Sequence, residues 1–219
     1  EYPLLELADS MARGSIDDTV KNIWFKKNGK ILRNPLRPLI DDLDALPFPD
    51  KDLYYSVSPH FSKSYYIATS RGCPNACSYC CNSYLHSLYK GLGAPRRSRS
   101  VRNVIEELIW AKNRYRIDPV FFLDDCFGTD LGWLKEFATE YREKVGIKFY
   151  CMMFPAPQME EAVKYLAQAG CGEIEIGVQS WDEDVRRRIF NRRVSNDTMI
   201  RTMKLIKKAG INLVTGDIL

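Results

Sequence analysis

Apolar runs alternate with segments of helical period from Tyr65 to the end of the chain. The runs predict five strands, at residues 65–70, 120–124, 147–152, 173–178 and 212–215. Between them, apolar residues recur at spacings of three and four, which places each set on one face of a helix. The sets are Val101, Val104, Ile105 and Leu108; Leu134, Phe137, Ala138 and Tyr141; Met159, Ala162, Val163 and Leu166; and Met199, Ile200, Met203 and Ile206. Strands alternating with helices are typical of repeated βα units, so the sequence predicts an α/β fold with a parallel sheet. We expect Ser100 to cap the first helix.

A different pattern covers residues 1–60, which contain many residues that end long elements. Prolines recur in its second half, at Pro35, Pro38, Pro47, Pro49 and Pro59. Asn28-Gly29 separates two apolar runs at 22–25 and 30–32, which predicts a tight β-hairpin. We therefore expect a linker with a hairpin over residues 1–60 and one main domain over residues 61–219.

Composition limits the class of protein. The 219 residues are 45% hydrophobic and carry a net charge of +4, which suits one sizeable core. No apolar run approaches the roughly 18 residues that span a bilayer, so we expect no membrane span. Three of the seven cysteines fall within eight residues, which favours a metal site in a reduced, cytoplasmic compartment over a disulfide framework. The chain begins with Glu1, and we expect it to be a fragment whose barrel lacks a closing strand after residue 215.

The cysteine triplet Cys73, Cys77 and Cys80 directly follows the first predicted strand. In barrels of βα units, the carboxyl ends of the strands carry the chemistry. Three thiolates can ligate three irons of a four-iron cluster and leave the fourth iron without a protein ligand. Such an open iron can bind a substrate or cofactor directly.

This Cys-x-x-x-Cys-x-x-Cys pattern, with Tyr79 before the last cysteine, resembles the radical S-adenosylmethionine (radical SAM) superfamily. The resemblance implies a partial TIM-like (β/α)6 barrel, of which five strands are visible. It implies that the three cysteines are the catalytic and metal-binding residues, holding a [4Fe–4S] cluster whose open iron is chelated by S-adenosylmethionine. An electron then cleaves the sulfonium and releases a 5'-deoxyadenosyl radical. It also implies that Tyr79 lies near the adenine, and that an electron donor such as flavodoxin or ferredoxin is a partner.

The alternative for the cysteine triplet is a structural zinc site completed by His86 or Cys81. We weigh it less, because paired Cys-x-x-Cys knuckles are more usual for zinc than a Cys-x-x-x-Cys opening. The scattered cysteines Cys81, Cys126, Cys151 and Cys171 are expected to be small buried hydrophobes and do not indicate a second cluster.

The predicted strand at 173–178 has one apolar and one polar face. Ile174, Ile176 and Val178 share the first, while Glu173, Glu175, Gly177 and Gln179 share the second. We expect the polar face to line a ligand-holding cavity in the barrel. The alternative is that Glu173 and Glu175 lie on an exposed edge strand.

Residues 170–193 resemble the fourth-strand region of the cobalamin-associated and methylthiotransferase branches of the superfamily. Gln179, Ser180 and Arg192 match the pattern there. The resemblance implies that these residues, with Glu175, bind the cofactor, and a guanidinium is suited to the methionine carboxylate. As the alternative, Arg192 is unremarkable, and we expect Arg186 to Arg188 and Arg193 to form a solvated basic helix face.

Asp124 and Asp125 end the second predicted strand, and adjacent residues there point to opposite faces, so at most one meets the cavity. The Asp-Asp-x-Phe segment resembles the cobalamin-associated branch, which implies cofactor binding by Asp124. Capping of the next helix is an alternative role for either residue.

Four arginines form a basic patch, Arg96, Arg97, Arg99 and Arg102. We expect this patch to be a solvated helix entrance. It does not indicate nucleic-acid binding, because no aromatic residues accompany it.

Residues 43–50 resemble the linker that joins a cobalamin-binding domain to the radical SAM barrel, and the resemblance covers residues 36–219 in all. The cobalt-ligating Asp-x-His-x-x-Gly motif is not found around His60 or His86. Either the cobalamin-binding domain precedes Glu1 in a longer parent protein, or the protein has none, so cobalamin is a possible third cofactor. The main hypothesis is radical methyl transfer or a related radical transformation of an unknown substrate. The alternatives are a transfer-RNA methylthiotransferase, or a non-catalytic iron–sulfur or zinc module.

Overall fold

The computed structural model describes residues 1–58, 61, 63–115 and 117–218. The sequence predictions for Pro59 and His60 lie outside these residues. Before the main domain, the chain forms helix α1 (Tyr2–Ala12), strands β1 (Trp24–Lys27) and β2 (Lys30–Arg33), and helix α2 (Asp52–Val57). β1 and β2 pair antiparallel around Asn28 and Gly29, whose φ angles of 51° and 75° are those that a type I′ turn requires. The hairpin prediction is confirmed.

Helix α1 has no counterpart in the predicted linker. Pro3 lies in its first turn, where the missing N–H costs no helical hydrogen bond. Leu4, Leu7, Ala8 and Met11 follow at helical spacing. The signal for this helix is therefore present in the sequence, although the prolines further along dominate the overall pattern.

The main domain alternates strands and helices in chain order. Its strands are β3 (Tyr65–Ile67), β4 (Ser70–Arg71), β5 (Arg97–Ser98), β6 (Val120–Phe122), β7 (Phe149–Met153), β8 (Cys171–Gln179) and β9 (Asn212–Asp217). Its helices are α3 (Cys81–Leu88), α4 (Val101–Arg114), α5 (Leu131–Lys144), α6 (Met159–Ala169) and α7 (Asn196–Lys208), with a π-helical segment at Val185–Ile189. Strands β3, β6, β7, β8 and β9 form one parallel sheet in that order. The predicted α/β fold with five parallel strands is confirmed.

The strand predicted over 65–70 is divided in the structure. β3 ends at Ile67, and β4 leaves the parallel sheet to pair antiparallel with β5. Helix α3, which begins immediately after the last cysteine of the triplet, was not predicted. Both departures lie at the loop that carries the cysteines.

The long helices begin at side-chain caps. The Ser100 hydroxyl accepts a hydrogen bond from the Asn103 amide at 3.1 Å, which confirms the predicted cap of α4. Asp130 caps α5 and accepts from the Trp133 amide at 3.0 Å. Neither Asp124 nor Asp125 therefore caps that helix, and this alternative is wrong. Among the described residues, no helix combines the length and the hydropathy that crossing a membrane requires.

The core lies between the sheet and its covering helices. On β8, Ile174, Ile176 and Val178 are at most 1% exposed and face this core, as predicted. The Phe122 ring packs among four other aromatic rings with centroid distances of 4.7 to 6.1 Å. Burial of each such side chain contributes about 1.5–3 kcal/mol. Because β8 pairs with both β7 and β9, the alternative that it is an exposed edge strand is wrong.

The four arginines of the basic patch do not share one environment. Arg102 is exposed and pairs with Glu106, as expected of a solvated helix entrance. Arg99 instead forms an ion pair with Glu107, which is almost fully buried and also accepts a hydrogen bond from Tyr65 at 2.7 Å. The prediction of a solvated patch is wrong for Arg99, because the sequence does not reveal that a buried carboxylate faces it.

Candidate functional site

The three cysteines of the triplet line one cavity of about 190 Å³ at the carboxyl ends of β6, β7 and β8. The other lining residues are Asn75, Tyr79, Asn82, Asp125, Met152, Met153, Phe154, Glu175, Gly177, Gln179 and Arg192. This arrangement brings residues from four separate segments of the chain to one place. It also puts the polar face of β8 into the cavity, as the strand alternation predicts.

The loop that carries the cysteines has little room to change its path. Gly72 has a φ angle of 81°, and a Cβ atom there would lie 2.0 Å from the Pro95 carbonyl oxygen. The Cys80 amide donates to the Cys77 carbonyl at 3.1 Å, and the Ser78 amide donates to the Phe190 carbonyl at 3.0 Å. The loop is therefore anchored both within itself and to the segment after β8.

The residues fit an iron–sulfur cluster better than the proposed zinc site. All seven cysteines are free thiols. A His86 ring nitrogen lies 2.9 Å from the Cys73 carbonyl oxygen, so the ring braces the loop. Cys81 is exposed on the first turn of α3, so the expectation of a buried hydrophobe is wrong for this cysteine. Within the described residues, no group of three or more His, Cys, Asp or Glu side chains is arranged to hold a single metal ion. A cubane bonds each thiolate to a different iron, so its ligands need not converge on one point.

Cys73 has an environment that favours the thiolate. A hydrogen bond from the Cys126 thiol lowers the pKa of Cys73 to about 6, against the opposing effect of burial. The same contact, together with burial, raises the pKa of Cys126. Metal ligation by cysteine requires the thiolate, which is the form that the Cys126 contact favours at Cys73. Sequence reasoning placed Cys126 among the buried hydrophobes, which its 3% exposure supports, but did not find this contact.

Arg192 lies in the cavity wall and is only 6% exposed. Its guanidinium donates to the Gly177 carbonyl, lies 4.2 Å from the centroid of the Phe154 ring, and places Nη1 4.0 Å from Cys77 Sγ. Its buried Nε has no hydrogen-bond partner among the described residues. The guanidinium therefore has an unused donor beside the cysteines. The alternative that Arg192 is an unremarkable surface arginine does not fit a side chain that is buried in the cavity wall.

Arg186 was predicted to lie on a solvated helix face, and this is wrong. Its side chain is fully buried and donates to the carbonyl oxygens of Ser180 and Val194 and to Asn196 Oδ1. It therefore ties the end of β8 to the start of α7 and holds the turn that carries Arg192. Arg187, Arg188 and Arg193 are exposed, as expected.

Gly177 and Gln179 shape the polar end of β8. A Cβ atom on Gly177 would lie 2.3 Å from Gln179 Nε2 and 3.6 Å from Arg192 Nη2. A side chain at this position would therefore displace the Gln179 amide from the strand, whereas the distance to Arg192 is an ordinary contact. Gln179 itself has a φ angle of 69°, a conformation that is uncommon for a residue other than glycine. Glu175 lines the same cavity with its side chain largely in solvent.

Two predicted site residues have other contacts. The Ser180 hydroxyl accepts a hydrogen bond from the Asp182 amide at 3.2 Å, and Ser180 does not line the cavity. Asp124 is 1% exposed and accepts hydrogen bonds from the Thr69 amide at 2.9 Å, the Thr69 hydroxyl at 2.7 Å and the Ser70 hydroxyl. Burial raises the pKa of this carboxyl group, against the effect of these hydrogen bonds. Asp124 ties the segment after β3 to the segment after β6, whereas its neighbour Asp125 lines the cavity.

Tyr79 lies at the cavity edge with 41% of its surface exposed. Its ring packs edge-on against Phe190 at a centroid distance of 5.2 Å. Burial raises the pKa of Tyr79 to about 12, although the nearby Arg192 charge opposes the rise. The phenol therefore stays protonated near neutral pH and offers a half-exposed aromatic ring.

Residues 67–219, which include the cysteine triplet and the whole cavity, match the family model of the Radical SAM superfamily. The chain belongs to the radical SAM superfamily. The resemblance drawn from the cysteine spacing is confirmed, and it extends to the helix-covered sheet behind the cysteines.

Two curated relatives of this radical SAM chain are named as methyltransferases and a third as a methylthiotransferase. An uncharacterized methyltransferase of Pyrococcus horikoshii is 27% identical over 218 residues, which are 97% of this chain and 45% of the relative. Cytidylyl-2-hydroxyethylphosphonate methyltransferase of Streptomyces wedmorensis is 25% identical over 227 residues, covering 88% of this chain and 41% of the relative. The ribosomal protein uS12 methylthiotransferase of Clostridium acetobutylicum is 25% identical over 154 residues, covering 66% of this chain and 33% of the relative. The chain spans less than half the length of each of these relatives.

Solved structures of cobalamin-dependent radical SAM enzymes share the fold. The enzyme OxsB with aqua-cobalamin bound superposes with a TM-score of 0.80 at 24% identity, over 100% of this chain and 32% of that chain. The methyltransferase TsrM from Kitasatospora setae, with cobalamin and a [4Fe–4S] cluster bound, superposes with a TM-score of 0.73 at 17% identity, over 99% of this chain and 45% of that chain. The predicted partial barrel is therefore the fold of this chain.

Proposed function

We propose that this chain holds a [4Fe–4S] cluster on Cys73, Cys77 and Cys80 and cleaves S-adenosylmethionine reductively to a 5'-deoxyadenosyl radical. The observation that carries the proposal is the common cavity, in which the three thiols meet the buried guanidinium of Arg192 and the carboxyl groups of Asp125 and Glu175. When bound, the cluster supplies the single electron for breaking the sulfonium bond. Among the described residues that line the cavity there is no fourth cysteine, so the fourth iron would be left for chelation by the cofactor.

The remaining residues of the cavity match the parts of S-adenosylmethionine. Arg192 has an unpartnered Nε–H for the methionine carboxylate, and its burial strengthens a charge-assisted hydrogen bond. Asp125 and Glu175 supply carboxylates for the amino group. Asp125 takes the place that the sequence resemblance gave to Asp124, because the oxygens of Asp124 are occupied by Thr69 and Ser70. These roles agree with the donors and acceptors that each side chain has free.

The aromatic residues give the cavity its apolar walls. The exposed face of Tyr79 suits stacking of an adenine ring. Phe154 covers the guanidinium of Arg192 and keeps water from that side of it. Excluding water matters for radical chemistry, because the protein's part is to position the reacting carbon and prevent competing reactions.

The relatives favour cobalamin-associated methyl transfer as the reaction in which the radical is used. Two relatives are named as methyltransferases, and the structural neighbours OxsB and TsrM hold cobalamin. We propose the same class of reaction for the whole protein, with an electron donor such as flavodoxin or ferredoxin and a location in the cytoplasm, where cysteine thiols stay reduced.

Anaerobic reconstitution tests the core of the proposal. We expect about four irons and four sulfides per chain, and slow conversion of S-adenosylmethionine to 5'-deoxyadenosine and methionine with dithionite as reductant. Cys77→Ala should abolish both the cluster and the conversion, whereas the matched variant Cys81→Ala should keep both. A folded, four-iron protein that binds the cofactor but forms no more deoxyadenosine than Cys77→Ala would refute radical generation. Stoichiometric zinc with little iron would favour a structural metal module instead.

A second candidate function is methylthiotransfer, which the match to the uS12 methylthiotransferase favours. That relative modifies a ribosomal protein, whereas the sequence alone suggested transfer RNA as a substrate. In this chain the four cysteines outside the triplet are scattered, and three of them are buried. Iron analysis of the full-length protein distinguishes the candidates, because a second four-iron cluster would double the iron content.

A further inference from the structure

Each cysteine of the triplet has its own N–H donor directed at the sulfur. Asn75 Nδ2 lies 3.4 Å from Cys73 Sγ, Asn82 Nδ2 lies 3.7 Å from Cys80 Sγ, and Arg192 Nη1 lies 4.0 Å from Cys77 Sγ. The arginine belongs to the cofactor site proposed above. The two asparagines have no role in that site, although both line the cavity.

The two asparagines occupy equivalent places in the sequence. Each follows its cysteine by two residues, as Cys73-Pro74-Asn75 and as Cys80-Cys81-Asn82. The first lies within the loop, and the second lies in the first turn of α3. Two different backbone settings thus deliver the same contact, an amide N–H to a ligand sulfur.

We propose that Asn75 and Asn82 are positioning residues that set the reduction potential of the cluster by donating hydrogen bonds to two of its thiolate ligands. This inference rests on the cluster of the proposed function. Reduction adds one negative charge to the cluster and its thiolates. An N–H donor at sulfur stabilises the more negative state, so each asparagine raises the potential, and hydrogen bonds to sulfur are an established determinant of cluster potentials.

Burial decides which asparagine has the larger effect. Asn82 is 5% exposed, whereas Asn75 is only partly buried. Water competes less and screens less at a buried hydrogen bond. The Asn75 contact is 0.3 Å shorter, but its amide is more open to solvent. We therefore expect removal of Asn82 to lower the potential more than removal of Asn75.

The test is a potentiometric titration of the reconstituted protein, followed by electron paramagnetic resonance of the reduced cluster. Asn82→Leu and Asn75→Leu keep the approximate side-chain volume and remove the donor. At the wild-type midpoint potential, the ratio of reduced to oxidised cluster should fall by about two- to tenfold for each lost hydrogen bond. Asn82→Asp keeps the shape but replaces the donor with an anionic acceptor, and should lower the potential further than Asn82→Leu.

Ser83→Ala is the matched control, because the Ser83 hydroxyl donates to the Cys77 carbonyl oxygen and not to a sulfur. It should leave the potential unchanged. Wild-type potentials in Asn75→Leu and Asn82→Leu with full iron content would overturn the inference, as would an equal shift in Ser83→Ala. If both leucine variants failed to hold a cluster, the asparagines would be assigned to loop structure and the proposal rejected. A wild-type chain that takes up no four-iron cluster would instead reject the proposed function.

Discussion

Removal of the Arg192 guanidinium should weaken S-adenosylmethionine binding while leaving the cluster intact. The guanidinium is 6% exposed, lies 4.2 Å from the Phe154 ring centroid and keeps its Nε without a partner among the described residues. It donates to the Gly177 carbonyl even without a ligand. The binding energy that the ligand gains therefore comes from the remaining donors and the charge.

The expected magnitude follows from these contacts. A hydrogen bond to a charged group contributes a net stabilisation of about 1.5–3 kcal/mol, and burial places this pair at the upper part of the range. The contact with Phe154, about 0.5–2 kcal/mol, exists with and without the ligand and therefore cancels in the binding free energy. We expect Arg192→Met to lose about 1–3 kcal/mol of binding free energy, a change in Kd of roughly 5- to 150-fold.

Isothermal titration calorimetry on the anaerobically reconstituted protein measures this change. Methionine retains an apolar body against Phe154, which limits collapse of the cavity wall. Arg193→Met is the matched control, because Arg193 is the adjacent arginine and is exposed. Cluster absorbance and circular dichroism should match the wild type in both variants. An unchanged Kd in an intact Arg192→Met protein would refute the assignment and return Arg192 to a structural role at Gly177.

Three further predictions concern the framework of the site. Arg186→Met should lower the free energy of unfolding by about 3 kcal/mol in chemical denaturation, because it leaves buried carbonyl oxygens without donors. Gly72→Ala should prevent stable cluster assembly, as read by cluster absorbance, because its Cβ would lie 2.0 Å from the Pro95 carbonyl oxygen. Cys126→Ala should raise the pKa of Cys73 from about 6 towards its ordinary value of 9.0, since the thiol hydrogen bond that stabilises the thiolate is lost. In the iron-free protein, alkylation of Cys73 at pH 7 should then slow by roughly tenfold or more, measured by mass spectrometry.

Each of these predictions has a matched control. Arg188→Met removes an exposed arginine from the same π-helical segment and should change the stability by less than about 0.5 kcal/mol. Gly91→Ala changes a glycine with a similar φ angle of 80° but no neighbouring atom within 4 Å, so it should bear only the backbone strain of about 1–2 kcal/mol. Cys151→Ala, the control for Cys126→Ala, removes a buried thiol that does not contribute to the lowered pKa of Cys73. Equal effects in a variant and its control would contradict the corresponding explanation.

The fold and the cysteine site could be predicted because their signals are local or periodic. Apolar spacing identified the five strands and four of the covering helices, and alternation along β8 separated its core face from its cavity face. The three cysteines lie within eight residues, so their common location does not depend on the rest of the fold. The position of Arg192 was suggested only by resemblance, since no local pattern distinguishes it from Arg193.

The failures occur where a charged residue has a distant partner. Arg186 belongs to a run of three arginines and still is fully buried, because carbonyl oxygens on both sides of its turn face it. Asp124 and Asp125 are adjacent and chemically identical, and only the hydrogen bonds from Thr69 and Ser70, in the segment after β3, decide which of them turns away from the cavity. Arg99 is largely withdrawn from solvent for the same kind of reason, because it pairs with the buried carboxylate of Glu107.

The sequence by itself determined the alternation of strands and helices, the hairpin at Asn28-Gly29 and the cysteine loop at the end of the first strand. These depend on backbone preferences and on burial of periodic apolar positions, which act over a few residues. Only the tertiary structure decided which polar side chains meet the cysteines and which serve as internal braces. The physical reason is that a buried charge must find a partner, and that partner lies on another strand or helix, at a sequence separation that no local pattern records.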